Sequence, residues 1–362
     1  MGLGLPLMQL LTVSQFRAVI AHEFGHFYGG DTALGPWIYK TRAAIVRTVQ
    51  QLAAANSYVV FLFNAYATMF MRVTLAVSRP QEYAADRLGA QIAGAKAMME
   101  GLKQVHAGGA AWGAYLQTEV TPVLRAGFSP PLANGFSSFL NAPTMRNAVA
   151  EELQKGLASS KAEMYDSHPA LAERISALQS LPEGEAGDGR LATELVDNLF
   201  HADTSLFLFD PGVTLKPLDW SQALDQVYIK GWNEQVEFQS DALRGLTFLA
   251  LGKDLYSGEL RNRLKSPPGF LPSTEQRDQM ANSLAAAAFS LMLLNDGWTA
   301  HANLGEPILF KKEGLTLDPL AMVREISRGG LKHEAWEQRC EELGRGHLPV
   351  PTGNAQHSTV SA

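Results

Sequence analysis

Two histidines four residues apart, His22 and His26, enclose a glutamate, Glu23, in the run "IAHEFGHFYGGD" from Ile20 to Asp31. On an α-helix, positions i and i+4 differ by about 40° in azimuth and one turn in height, so both imidazoles project from the same side. Two ring nitrogens are thereby offered to one ion. Glu23 lies within reach of a water on that ion and can take its proton, the role of a general base. Nitrogen and oxygen donors at tetrahedral angles suit zinc, with a fourth position left to a water whose pKa falls to about 7. Such a water attacks an amide carbonyl. The single cysteine, Cys340, excludes a thiolate cluster and an intrachain disulfide, leaving His and carboxylates as donors for one Zn2+ per chain. The alternative is a structural cluster, in which each inward-facing polar group costs several kcal/mol if left unpaired.

A tetrahedral catalytic site takes three protein ligands. Glu82, in "RPQEYAADRLGA", is the best-placed third ligand. Asp86 follows at i+4 on the same helical face and could accept the second N–H of His22 or His26. Plainer roles exist for both: Glu82 as a carboxylate complementing a helix N-terminus, Asp86 as an exposed partner of Arg87 or Arg79. Asp31 equally suits an N-cap for the segment from Thr32. Tyr28 and Tyr83 flank the ligands and are read as packing residues. His106, His201, His301, His333, His347 and His357 lack ligand spacing and are assigned to surface or core.

Several elements must position these groups. Thr12 and Gln15 form a capping box ahead of "FRAVIAHEFGHF", which predicts a helix ending at Gly29 and Gly30. Residues 43–77 carry no charge from Thr48 to Met71, long enough to cross a bilayer, but Gln50, Gln51, Asn56, Ser57 and Asn64 interrupt the apolar run. A buried helical hairpin turning near Asn56 is the expectation, with a membrane span as the alternative. A second capped helix is predicted from Ser78 and Gln81, with Pro80 in its first turn. The Gly-, Ala- and Pro-rich stretch from Ala107 to Pro143 reads as loop with short helices, and helical patterns resume at Asn147. Residues 182–190 have linker composition. Beyond them, 191–350 reads as an α+β accessory domain with a strong amphipathic helix over Gln276 to Trp298 and a hairpin turning near Lys312 to Gly314; 351–362 reads as a disordered tail. No signal peptide is read at the start, and the opening residues look like the interior of a longer protein.

With 362 residues and a formal net charge of -6, the chain has room for two or three domains but no basic footprint for phosphate backbones. Nucleic acid is therefore not an expected partner. Charged residues make up 18%, against about 25% in average soluble domains, so an apolar surface is expected to be covered by a membrane, a partner or further chain.

"HEFGHFYGGD", "RPQEYAADRLGA" and "SHPALAERI" occur in the order and rough separation of the HtpX and CaaX-prenyl-protease family of zinc metallopeptidases, which residues 3 to 180 resemble. The resemblance implies a mainly α, zincin-like core over 1–181, with His22, His26 and Glu82 as zinc ligands and Glu23 as catalytic base. It implies Asp86 as an outer partner of a ligand, His168 as the donor that steadies the tetrahedral intermediate, and Arg174 as a structural partner near Asp86. Without it, His168 before a proline reads as a surface-turn histidine. The implied activity is endoproteolysis in membrane or envelope quality control, on polypeptide substrates, in a membrane-associated protein of the bacterial inner membrane or envelope. A soluble cytoplasmic protein is the alternative location, and a weakly active zinc-binding partner module the alternative function. Family members also carry a membrane segment and a substrate-pairing strand before the first motif, which this sequence begins too late to show.

Overall fold

The computed structural model describes residues 4–28, 35–54, 59–159, 168–196, 214–266, 269, 271–328 and 333–351. Asp31, His201 and the tail from 352 lie outside them. The chain divides into two compact units, Met1–Leu116 with Pro143–Thr204, and Gln117–Ala142 with Ser205–Ala362. The first opens with α1 (Leu5–Leu10), α2 (Val13–Tyr28), α3 (Gly35–Ala54), α4 (Val60–Ala93) and α5 (Ala95–Tyr115). Next, α6 (Thr121–Arg125), β1 (Phe128–Ser129) and α7 (Leu132–Asn141) belong to the second unit; α8 (Pro143–Ala158) and α9 (Leu171–Leu178) return to the first.

The start of α2 is set locally. The Thr12 N–H donates to Gln15 Oε1 at 2.9 Å and the Gln15 N–H donates to Thr12 Oγ1 at 3.3 Å, the reciprocal pair of a capping box. What α2 packs against is set by small residues. A Cβ on Gly25 would lie 2.9 Å from the Cα of Ala85, and one on Gly89 would lie 2.9 Å from the carbonyl oxygen of Ala18. The backbones of α2 and α4 therefore touch at Gly25 and at Gly89, and any side chain there would force the helices apart.

Three expectations for this unit change. No new helix starts at Ser78, because α4 runs unbroken from Val60 to Ala93 with Pro80 inside it. A proline within a helix costs about 3 kcal/mol, and packing of the following turns on α2, α5 and α9 offsets the lost bond. The Ala107–Pro143 stretch is mostly helix, since α5 passes through Gly108, Gly109 and Gly113. Gly108 is there for contact: a Cβ would sit 2.2 Å from Leu10 Cδ1. Helices α3 and α4 pack together but are only partly buried: Ile45 and Ala67 are covered, whereas Phe61 is 75% and Met69 60% exposed, and the turn expected near Asn56 lies outside the described residues. No helix among the described residues is long and apolar enough to cross a membrane. Residues 182–190 are irregular yet tied down: the Ala95 N–H donates to Pro182 O at 3.0 Å, and the Val13 N–H donates to Arg190 O at 2.8 Å.

The second unit continues with β2 (Lys216–Pro217), α10 (Lys230–Phe238), α11 (Ser240–Leu243), α12 (Phe248–Ser257), α13 (Glu259–Arg263) and α14 (Thr274–Asn295). It ends with β3 (Thr299–His301), β4 (Leu309–Lys312), β5 (Leu315–Leu317), α15 (Pro319–Ser327) and α16 (His333–Leu343). Helices dominate. The strands form an antiparallel sheet in the order β3-β4-β5, plus the parallel pair β1-β2 that draws 117–142 into this unit. The β4–β5 turn is the expected one: Lys312 pairs with Leu315 around Glu313 and Gly314, both at positive φ as a two-residue hairpin turn requires. The helix α14 departs from the amphipathic expectation. Every residue from Ala287 to Leu293 is buried, because α10, α12, α13 and α15 enclose it.

Candidate metal centre

The Gly25–Ala85 contact brings one face of α4, carrying Glu82 and Asp86, onto the face of α2 that carries His22 and His26. The two histidine Nε2 atoms lie 3.2 Å apart, with the rings edge to face. Glu82 reaches in from α4, its Oε2 3.7 Å from His22 Nε2 and its Oε1 3.7 Å from His26 Nε2. The ligand atoms of the three residues all fall within 4.8 Å of one another.

Those separations can be tested against an ion. Two nitrogens bound to zinc at about 2.0–2.1 Å and tetrahedral angles stand roughly 3.3 Å apart. The histidine pair matches that spacing without movement, and the carboxylate is a few tenths of an ångström outside it. Glu82 Oε2 is buried and accepts no hydrogen bond among the described residues, an arrangement that costs about 1–3 kcal/mol in a site meant only for packing. The donor set and the orphaned oxygen both fit a divalent cation.

Residues 2–181 match Peptidase family M48. Over this stretch the chain belongs to peptidase family M48. Protease HtpX of Acinetobacter baylyi (strain ATCC 33305 / BD413 / ADP1) is 25% identical over 194 residues, covering 48% of this chain and 56% of that protein. The chain thus spans little more than half the length of that relative. No solved structure matches.

Around the three central side chains the M48 domain builds a layer of charge. Arg174, on α9, grips Asp86 with two parallel bonds, Nε to Oδ2 at 2.8 Å and Nη2 to Oδ1 at 2.6 Å, and lies 3.4 Å from Glu82 Oε2. Asp86 Oδ1 is also 3.0 Å from His22 Nδ1, close, though off the line of a well-aligned hydrogen bond. His168 Nδ1 lies 2.7 Å from Glu82 Oε1. Burial alone would push the Glu82 carboxyl up, but the bond from His168 and the charges of His168, Arg174 and His22 outweigh it and hold the group below its usual range. Asp86 is likewise lowered: burial opposes ionisation, and Arg174 and His22 overcome it. Arg79 pairs with Glu173 at 3.1 Å and the Tyr83 hydroxyl lies 3.4 Å from the same oxygen, so Arg79 does not serve Asp86.

Glu23 is exposed and lines, with His22 and His168, a cavity beside the centre. His106 lines the same cavity, a placement that ligand spacing did not reveal. Its signal lay elsewhere: Met98, Leu102, Val105 and His106 form an i, i+4, i+7, i+8 stripe on α5, in which a histidine continues an apolar face.

Proposed function

We propose that this M48 domain is a zinc-dependent metalloendopeptidase with a zincin-like core, and that His22, His26 and Glu82 hold the ion. The observation that carries this reading is the pair of facing Nε2 atoms beside a buried carboxylate oxygen without a hydrogen-bond partner. Bound there, zinc would supply an acidified water and polarise the scissile carbonyl. Glu23 accepts the proton of the attacking water and passes it to the leaving nitrogen; its exposure gives it access to both. His168, which opens the described segment leading into α9, donates to the oxyanion as the carbonyl becomes tetrahedral. Asp86 steadies the His22 ring, and Arg174 neutralises the buried carboxylates.

The test pairs metal analysis with casein cleavage. Glu23→Gln should keep about one zinc per chain while cleavage falls by about 10²–10⁴-fold or more, the scale of a lost general base. Equal cleavage by the two proteins would remove Glu23 from the mechanism. A second reading, a weakly active zinc-binding partner module, draws on one observation: the described residues of the first unit contain no β-strand on which an extended peptide could align. Full zinc content with no cleavage by the unaltered chain would favour it.

Membrane association, in envelope protein quality control, is part of the same proposal. Phe61, Phe63, Tyr66 and Met69 are exposed on the hairpin. Between Asp31 and Glu82 there is no carboxylate, whereas Lys40, Arg42, Arg47, Arg72 and Arg79 all fall there, in a chain that is acidic as a whole. Apolar side chains in a stretch whose charged residues are all basic suit an anionic bilayer surface. Co-sedimentation with phosphatidylglycerol vesicles should drop severalfold in Phe61→Ser/Met69→Ser and stay low with neutral vesicles; binding indifferent to both changes would remove the hairpin from this role.

A further inference from the structure

We infer that the cavity beside Glu23 selects an apolar side chain on one of the two residues flanking the scissile bond, and that His106 at its rim determines specificity. The inference deepens the peptidase reading and rests on it. The cavity encloses about 310 Å³. That is the low end of the roughly 300–1,000 Å³ found for small-ligand sites, room for one side chain rather than a length of folded polypeptide. Val19 of α2, Met98, Leu102 and Val105 of α5, and Leu171 of α9 form its apolar walls, and all but Val105 are buried. Glu23 and His168 stand at the same opening. A residue entering this pocket therefore has its backbone beside the group that moves the proton and the group that would receive the oxyanion. Glu23 is the sole carboxylate in the lining, and it is engaged at the reacting atoms; the other polar groups there are Arg174 and the imidazoles of His22, His106 and His168, so a cationic side chain deep in the pocket would meet apolar walls and a guanidinium but no free anion.

His106 is exposed and sits against α8 at a glycine: a Cβ on Gly156 would lie 2.4 Å from its Nε2. Gly156 thus leaves room for the ring to close one side of the pocket. Because His106 is exposed and lacks any role in holding the ion, its replacement changes the rim without disturbing the centre.

The experiment presents the zinc-loaded protein with peptides randomised on both sides of the cleaved bond, products being read by mass spectrometry. One flanking position should favour Leu, Ile, Met or Phe over Gly, Asp and Lys by about 10-fold or more, the discrimination a hydrophobic pocket achieves. Leu102→Trp, which fills the pocket, should shift that position to Ala and Gly. His106→Glu, at an exposed site that tolerates change, should raise acceptance of Lys and Arg several-fold at the same position and leave the other position unaltered. The same ranking should appear as affinity when zinc-loaded Glu23→Gln binds the intact peptides. Cleavage with no preference at either position, or a wild-type profile in His106→Glu, overturns the pocket while leaving the peptidase reading in place. If the unaltered chain cleaves nothing, the peptidase reading falls, and a flat affinity ranking on Glu23→Gln then removes the pocket as well.

Discussion

The second unit is held mainly by one large apolar core that extends from Val236 to Val350 and has α14 at its centre, beside a small cluster around Val123 and Val227. Its buried polar side chains among the described residues are Gln239 and Ser290, both neutral and both satisfied by backbone: Gln239 bonds Lys265 in both directions at 2.9 Å, and the Ser290 hydroxyl donates to Ala286 O. Even its cysteine is inert, because burial pushes the Cys340 thiol up to about 12. In the first unit the apolar residues form smaller clusters, one around Met98 and Leu178, another around Leu11 and Phe16. Between the helices that carry them lie His22, Glu82, Asp86 and Arg174, all buried and all ionisable. A buried ion pair is weak support for stability compared with apolar packing of the same volume, yet breaking one is expensive. The first unit has therefore traded continuous core for a charged centre, and its stability should respond to charge and metal where the second responds to volume.

The largest expected effect breaks that charge balance. Arg174→Met keeps the length of the side chain but leaves Asp86 and Glu82 facing each other's charge without the guanidinium between them, at a cost of about 3–5 kcal/mol. Hydrogen exchange should locate the loss in α2, α4 and α9, with α14 unchanged. Zinc affinity should fall about 10–100-fold, because Asp86 no longer holds the His22 ring. If exchange in α2 and α4 stayed as slow as before, the centre would contribute no more to the first unit than ordinary packing. The converse change is Phe289→Leu. Phe289 packs at a tilt against Phe248 and Trp336, 4.6 Å and 5.6 Å away from ring centroid to centroid, so a differently shaped side chain should cost about 1–1.5 kcal/mol in the second unit with zinc content intact.

How far the sequence could reveal these two regions depends on whether the determining contact is local. The capping box of Thr12 and Gln15 and the spacing of His22 and His26 lie within one helix, and so does the Glu82–Asp86 pair. Their placement needed only helical period and cap chemistry. The contact that joins them, Gly25 on Ala85, spans two helices, and a glycine inside "HEFGH" signals equally a weak helix former. The same ambiguity misread Ala107–Pro143, where Gly108 makes room for Leu10 and breaks nothing. Pro80 misled in the opposite direction: its local signal for a helix start was outweighed by packing along the second half of α4. The helical stripe of α5 put His106 on the apolar face, but that this face lines a cavity depends on the packing of α5 against α9, which the period of one helix does not encode.

The smallest effect concerns a half-buried carboxylate of the second unit that has no cation beside it among the described residues. Glu119 lies on a π-helical turn, Leu116–Val120, and accepts the Gly305 N–H at 3.3 Å and the hydroxyls of Tyr228 and Thr118 at 3.5 Å each. Burial raises its carboxyl above the usual 4.5, and these neutral donors offset only part of the shift. Glu82, the more deeply buried of the two, moves the other way because His168 and Arg174 stand beside it. A raised value means that the folded chain binds the proton more tightly than the unfolded one. Glu119 therefore contributes stability that is fully present below about 4.5 and is lost as pH rises through its folded value. Glu119→Gln, which is uncharged throughout, should match the unaltered protein at low pH. Near neutrality it should be the more stable of the two by no more than about 1 kcal/mol, the scale of one hydrogen bond. Urea unfolding of both proteins from pH 4 to 7 reads the difference directly, with every other titrating group cancelling. A gap that fails to widen as pH rises would mean that hydrogen bonding to the ionised carboxylate outweighs its burial, and that the second unit tolerates charge as readily as the first.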